Sequence, residues 1–480
     1  MTPGARIAAA IDILAAIDEA ARPADGTAAE YFRKRRYIGA KDRPAIAAQV
    51  YAVLRHRAAL DWWLARDGAG QAADTTRSRV IAALMLIDGV PFGEIAACFD
   101  GGRFQPEELT AAEAGMARRL SGGTLRHKAM PRAAANDIPD WLEPYLAQVY
   151  GAALETEMAA LNAPAPMDLR VNPLKGDREA ALAALAAAGL TPETTRWSPL
   201  GIRLKARAPI SGLDIFRSGL IEVQDEASQL AALLAGARPG MRVVDFCAGA
   251  GGKTLALAAT MRNRGKLIAC DVAAWRLDRA GLRLRRAGVS NVERRALSSE
   301  RDPWVKRHAP KGKEGGFDRV FVDAPCLGIG TWRRNPDAKW RSGPDDLAEL
   351  VVRQRDILAS AARLVKPGGR LVYATCSLLR EENEDQAEGF LAAHPDFALY
   401  PVARAWEETI GGACPGGDNF LRLTPAGHGT DGFFVAMFER QPAPPSASVI
   451  PGPDPEGDEN PEPMTTDFCA PYPHDNAPLQ

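Results

Sequence analysis

Val320-Phe-Val-Asp323-Ala-Pro-Cys326 and Leu371-Val-Tyr-Ala-Thr-Cys376-Ser377 are the two stretches from which the rest of the chain can be read. Val320 to Val322 and Leu371 to Tyr373 are short apolar runs of the kind that form strands buried on both faces of a parallel sheet. Each run then delivers a cysteine at its carboxyl end. In open α/β sheets ligands bind in the crevice beyond those ends, so two thiols and the Asp323 carboxylate arriving there point to covalent chemistry.

Outward from this pair, strand-like runs at 242–246, 266–271, 291–296, 318–323 and 370–375 alternate with helical stretches, and 433–438 adds a late strand. That alternation predicts an α/β doubly wound sheet over residues 236–440. Residues 133–235 read as a small α+β linking module: Pro139-Asp-Trp-Leu142 opens a helix, 168–173 is strand-like and ends at a proline, 179–189 is an Ala/Leu helix closed by glycine, and 201–204 is a further strand. A helix over 227–234 hands the chain to the sheet. Residues 1–132 read as all helical, with Ile7, Ile11, Leu14 and Ile17 recurring at helical spacing and no strand pattern between. Residues 441–480 are rich in Pro, Asp and Glu and contain no Lys or Arg, the composition of a disordered tail.

A 480-residue chain exceeds what one core usually supports, which agrees with this division. The net charge of -1 and pI near 6.6 exclude a protein that coats polyanions through bulk charge, so RNA binding has to come from local patches. Asp12, Asp18 and Glu19 interrupt the apolar N-terminus, which reads as an amphipathic helix rather than a signal peptide, and no apolar stretch is long enough to span a bilayer. Seven cysteines stand far apart without a C-x-x-C, and the histidines form no ligand spacing with them. A cytoplasmic protein without a metal site and without membrane association is expected.

Asp245-Phe-Cys-Ala-Gly-Ala-Gly-Gly-Lys-Thr254 follows a strand and opens a helix, so its glycines allow a ligand to approach the backbone at a helix N-terminus. A dinucleotide fingerprint fails, because after Gly249 and Gly251 the next required glycine is Thr254. A P-loop is a nearer miss. Gly252-Lys-Thr254 fits it, but the first position is Cys247, and 320–323 could pass for a Walker B strand. Asp271, ending the next strand, is placed to accept hydrogen bonds from ribose hydroxyls, which suits an adenosine moiety held without a triphosphate. S-adenosylmethionine has that adenosine and a sulfonium in place of phosphates.

Cys247 to Lys253, Asp323-Ala-Pro-Cys326, Gly328-Ile-Gly-Thr-Trp-Arg-Arg-Asn-Pro-Asp337 and Thr375-Cys-Ser377 with Glu381-Glu-Asn-Glu384 occur in one order. That order resembles the RsmB/Sun (Nop2-related) family of S-adenosylmethionine-dependent RNA cytosine-5 methyltransferases. The string from Tyr37-Ile-Gly-Ala-Lys-Asp-Arg43 to Asp61-Trp-Trp-Leu64 resembles the all-helical NusB type of RNA-binding module. The resemblance implies a class I methyltransferase (Rossmann-like) catalytic domain. It carries cofactor contacts onto Cys247, Ala248, Gly249, Ala250, Gly251, Gly252 and Lys253, onto Asp271 and Asp323, and onto Arg276 as the arginine of a D-x-x-x-x-R-L pattern. One position departs: where the family has an aspartate beside the adenine, this chain has Ala296-Leu-Ser-Ser299.

Carbon 5 of cytosine is a poor nucleophile until a thiolate adds at carbon 6, so one cysteine has to attack and a carboxylate near N3 has to stabilise the charge that develops. The residues alone choose weakly between the cysteines, since a Pro-Cys thiol serves this role in DNA enzymes. By the resemblance Cys376 is the nucleophile, Cys326 assists product release and Asp323 is the acid beside N3. The implied partner is RNA, ribosomal rather than transfer RNA in the RsmB branch, with no DNA and a monomeric enzyme. A P-loop NTPase and an inert RNA-binding assembly factor are the competing readings.

Three basic clusters complete the sequence. Arg33-Lys-Arg-Arg36 with Lys41 and Arg43, beside Tyr31, Phe32 and Tyr37, suits phosphate contact as well as it suits a solvated helix face. Arg333, Arg334, Lys339 and Arg341, interleaved with Trp332 and Trp340, are expected to grip a flipped nucleotide at the mouth of the crevice. Arg276, Arg279, Arg283, Arg285 and Arg286 read as partly structural, their stems packing over the sheet.

Overall fold

The computed structural model describes residues 1–20, 22–66, 76–311 and 315–442, so all but the first two residues of the expected tail lie outside the described residues. Residues 1–442 form one compact unit.

The amino-terminal region is helical, as its periodicity predicts. Thr2 caps the helix Pro3–Glu19 by accepting from the Ala5 amide, and Thr110 with Glu113 forms a reciprocal capping box on Ala111–Leu120. Ile7, Ile13, Leu14 and Ile17 pack against Ile46, Val50, Val53 and Leu54 of the helix Asp42–Arg55. The helix Thr76–Leu86 is buried from Ser78 to Leu86, which makes it the centre of this bundle.

The next strands are β1 (Met167–Val171), β2 (Pro192–Thr194), β3 (Gly201–Leu204) and β4 (Ile221–Val223). They form an antiparallel sheet in the order β2-β3-β1-β4, covered by Ala181 and Leu185 of the helix Arg178–Ala187. The larger sheet comprises β5 (Arg242–Asp245), β6 (Lys266–Asp271), β7 (Val292–Ala296), β8 (Phe317–Asp323), β9 (Val365–Thr375), β10 (Phe397–Leu399), β11 (Leu421–Leu423) and β12 (Phe433–Arg440). Its order is β10-β12-β9-β8-β5-β6-β7, with β11 on β12. Strands β5 to β9 pair in parallel, and β12 runs antiparallel to β9.

Alternate residues of the central strands feed opposite layers. Val244, Val320, Val322, Leu371 and Tyr373 pack with Ile357 and Leu358 of the helix Pro344–Ala362, whereas Val243, Phe321, Val372 and Ala374 pack with Leu230, Leu257 and Trp406. Burial on both faces is why these runs lack a polar alternation. From β5 the chain crosses to β6 on one side, and β8 flanks β5 on the other, so the switch point of the sheet lies between the carboxyl ends of β5 and β8.

Four short strands escape the sequence reading: β2, β4, β10 and β11 are three residues each, too short to show a period. β9 begins at Val365 rather than at 370, because Lys366 to Gly369 bulges out between two register-keeping pairs, Phe317 with Val365 and Arg319 with Arg370.

Candidate active site

The turn after β5 is shaped by two glycines with left-handed backbone, Gly249 (φ 53°) and Gly251 (φ 80°), and a Cβ on Gly251 would come within 2.9 Å of the Ala280 methyl. The turn is pinned to β6 by the Ala248 amide donating to Cys270 O at 2.8 Å and by the Gly249 amide donating to Asp271 Oδ2 at 2.8 Å. The Ala273 amide donates to Asp271 Oδ1 at 2.7 Å. Each Asp271 oxygen therefore holds one backbone donor and retains lone-pair capacity for the cleft that it lines.

That cleft has a volume of about 960 Å³ and runs from Cys247 to Lys253 of the turn, past Asp271 and Arg276, to Asp323, Cys326 and Cys376. The sheet thus brings the sequence-predicted site residues together, with Arg276 at the exposed rim. Lys253 Nζ sits 2.6 Å from Asp323 Oδ2 and 5.0 Å from the Phe433 ring. Behind them Asp245 is wholly buried and accepts from Thr254 Oγ1 at 2.6 Å, while its Oδ1 has no partner among the described residues. Burial raises its carboxyl to about 7, and the neighbouring Asp323 and Asp271 charges push the same way.

This charge set separates the competing ligands. A triphosphate would meet Asp271 and Asp323, and the one lysine of the turn is already engaged by Asp323. A sulfonium beside an adenosine is favoured by the same carboxylates, with Asp271 available to ribose hydroxyls. The residues fit S-adenosylmethionine and do not fit the P-loop reading. On the adenine side, Leu297, Ser298, Ser299 and Glu300 line the cleft. The Ser298 amide and hydroxyl both donate to Asp302 Oδ2, at 2.8 and 2.9 Å, and these bonds with that from the Trp304 amide hold the Asp302 carboxyl down at about 2.

The two thiols lie 3.5 Å apart, Sγ to Sγ. The contact with Cys376, followed by burial, holds the Cys326 thiol well above its ordinary range. The segments that carry them are joined by the backbone bonds from Ala324 N to Ala374 O and from Gly330 N to Cys376 O, both 2.9 Å, and by a side chain to which the sequence reading gave no role. Glu382, fully buried, accepts from the Leu327 amide at 3.0 Å, from Gln354 Nε2 at 2.9 Å and from the Ser377 hydroxyl. It thereby ties the residue after Cys326 to the residue after Cys376. Tyr373 OH donates to the Glu382 carbonyl at 2.6 Å, and Asn383 Nδ2 donates to Ser377 O at 3.2 Å. The acidic string 381–384 carried the signal, but sequence offered no way to see which carboxylate turns inward.

The expectation for the loop after Cys326 is corrected. Arg333 and Arg334 are not free for phosphate: Asp431 accepts from Arg333 Nε at 2.5 Å and from Arg334 Nε at 2.6 Å, and Asp225 holds Arg334 Nη2 at 2.8 Å. Trp332 is buried, packed with Leu142, Leu146 and Leu161. Lys339 is buried too, donating to Asn162 Oδ1 and Asp137 O, and burial brings its ammonium down to about 7. Trp340 Nε1 donates to Leu54 O at 2.7 Å, and Arg341 pairs with Asp337, which in turn accepts from the Ala24 amide. The basic and aromatic side chains of this loop bolt it to the helices before it.

In the first cluster, Lys34 pairs with Glu30 and Arg35 stacks on Tyr31, whereas Arg33, Arg36 and Tyr37 stand exposed.

Comparison with known proteins agrees with this geometry. Residues 232–439 match the family described as 16S rRNA methyltransferase RsmB/F, and residues 138–211 match the ferredoxin-like domain of RsmF/B-like methyltransferases. The probable ribosomal RNA small subunit methyltransferase B of Synechocystis is 36% identical over 309 residues, covering 63% of this chain and 67% of that protein. A methyltransferase homologue from Pyrococcus horikoshii is 30% identical over 64% of this chain and 97% of its own, with a TM-score of 0.54. The crystal structure of PH0851 superposes over 92% of this chain and 99% of its own with a TM-score of 0.72 at 26% identity. A glycine turn open to a ligand, carboxylates whose charge suits a sulfonium and this agreement in sequence and fold lead to one conclusion: the chain belongs to the RsmB/F family of S-adenosylmethionine-dependent ribosomal RNA methyltransferases.

Proposed function

We propose that this protein methylates carbon 5 of a cytosine in small-subunit ribosomal RNA through a covalent adduct between Cys376 and carbon 6. The observation that carries the reading is the pair of thiols 3.5 Å apart at the ends of adjacent strands, in the cleft that also holds Asp323. Bound S-adenosylmethionine supplies an electrophilic methyl group. Cys247 to Lys253, Asp271 and Asp323 hold the donor side of the cleft, with Arg276 at its rim. Cys376 adds as thiolate to carbon 6, which makes carbon 5 enamine-like and able to accept the methyl. Asp323 stands beside the pyrimidine N3 and exocyclic amine, where its ion pair with Lys253 offers a proton to N3 as negative charge develops there. Carbon 5 then gives its proton to solvent in the open cleft, the freed electron pair re-forms the 5,6 double bond as the bond from carbon 6 to Cys376 breaks, and Cys326, kept as a thiol facing that sulfur, donates to the departing thiolate.

The division into a helical RNA-binding domain (1–132), a linking module (133–235) and a catalytic domain (236–440) belongs to the same proposal, as does a monomer working in the cytoplasm. Among the described residues no helix is long and apolar enough to cross a membrane. Bisulfite mapping of cellular RNA with and without this protein tests the substrate. A small-subunit cytosine that loses its protection in the deletion strain is the expected result, and loss confined to transfer RNA would overturn the ribosomal assignment.

A further inference from the structure

The helix Ala274–Arg286, which follows Asp271, carries five arginines and one acidic residue, Asp278. Its buried side is Leu277, Ala280, Gly281 and Leu284. Arg283 and Arg286 pair with Glu222, so these two are structural, as the sequence suggested for the whole cluster. Arg285 lies in the last turn, where the helix dipole itself favours a cation.

Arg276 and Arg279 have neither justification. Arg276 lies in the first turn, where the dipole disfavours positive charge, Arg279 lies one turn on, outside the dipole's reach, and among the described residues no carboxylate pairs with either. They flank Trp275 instead, with guanidinium carbons 5.3 and 4.9 Å from its ring. Trp275 is 55% exposed, Leu282, two turns on and so on the same line of the helix, is 65% exposed, and Val272, in the turn before the helix, is 64% exposed. Large apolar side chains aligned directly away from a core, bracketed by unpaired cations, describe a binding face rather than a solvated one. The face is continuous with the active site, since Val272 and Arg276 line the cleft that holds Cys326 and Cys376.

We propose that this face binds an unpaired segment of the RNA substrate beside the target nucleotide, with a base stacked on Trp275 and a flanking phosphate held by Arg279, while Arg276 stays at the donor rim of the cleft. Unpaired RNA is the occupant that this chemistry recognises, because an exposed indole needs a base face that a duplex keeps stacked, and the arginine beside it matches a phosphate. With the Arg333 to Arg341 loop turned inward, this face adds cations beside the cleft, whose other lining cations, Lys253 and Arg353, pair with Asp323 and Glu349. The proposal rests on the chain acting on RNA but not on the cytosine chemistry, because it is read by binding without turnover.

The test uses the full-length protein and a fluorescein-labelled, unstructured cytosine-containing RNA, followed by anisotropy across a salt series. S-adenosylhomocysteine affinity by calorimetry serves as the control for fold and donor site. Trp275→Ala is expected to weaken RNA binding about tenfold and Trp275→Phe, which keeps a ring, to within about threefold. Arg279→Glu should weaken binding and lower the salt slope by about one or more phosphate contacts. Unchanged RNA affinity in both Trp275→Ala and Arg279→Glu, with donor affinity intact, would overturn the proposal. So would a wild-type dimer that Trp275→Ala dissociates without altering RNA affinity, since the face would then be covered by a second copy of the chain.

Discussion

Asp271 serves the fold through both carboxylate oxygens, and the proposed function gives it the donor's ribose as well. Its carboxylate fixes the glycine turn through the Gly249 amide and the next helix through the Ala273 amide, while its remaining lone pairs face the cleft. Asp271→Ala is therefore expected to weaken S-adenosylhomocysteine binding by about 1 to 3 kcal/mol, the range for losing hydrogen bonds to a charged group, and calorimetry showing equal affinity would refute the assignment. Asp245, one layer deeper, predicts a pH effect. Its folded carboxyl is raised to about 7 from the ordinary 3.8, so between those values the folded protein holds a proton that the unfolded chain has lost. Its contribution to stability is complete below pH ~4, falls as pH rises towards ~7 and is gone above it. Asp245→Asn keeps an acceptor for Thr254 and removes the titration. Denaturant melts of the donor-free protein should show the variant gaining on the wild type by a few kcal/mol, to order of magnitude, between pH 4 and 7; a constant difference across that range would contradict a buried, protonated Asp245.

At the scale of elements, the strands that lead to Cys326 and Cys376 were legible because burial on both faces leaves a pure apolar run, and the glycine turn was legible because only glycine tolerates its backbone there. The loop 332–341 was misread for an equally physical reason. Its arginines meet Asp225 and Asp431, 108 and 98 residues away from Arg333 in sequence, and no local pattern announces partners at that distance. The small strands β10 and β11 were missed because three residues carry no period. Glu382 was hidden among neighbouring acids, yet it is the side chain that joins the two cysteine-bearing segments. Replacing it with glutamine keeps its shape and the acceptor for the Leu327 amide and Gln354, but turns a donor towards the Ser377 hydroxyl, which then has to give up its own bond to this side chain. Glu382→Gln should lower kcat by roughly 10- to 100-fold, the cost of misplacing reacting groups, while KM for the donor stays within about twofold. An unaltered kcat would show that the cysteines keep their spacing without it.

Across the whole molecule, the helices 133–162 and the amino-terminal bundle pack on the loop that follows Cys326, through Trp332, Lys339 and Trp340. A net charge of -1 leaves RNA affinity to local faces, and Arg33 and Arg36 beside the exposed Tyr37 are a candidate for one on the bundle. Neutralising Arg33 to Arg36 should reduce RNA affinity and make its salt dependence shallower, with methyl transfer to a saturating short RNA retained; an identical salt slope would return this face to solvent. The central claim concerns the order of events at the paired thiols, and one gel decides it. Wild type, Cys326→Ala, Cys376→Ala and the double variant are incubated with a cytosine-containing substrate RNA and S-adenosylmethionine, then resolved under denaturing conditions. The account predicts a protein-RNA species that accumulates in Cys326→Ala, which attacks but releases poorly, and is absent from Cys376→Ala and from the double variant. Accumulation in Cys376→Ala with none in Cys326→Ala would contradict it and exchange the roles of the two cysteines.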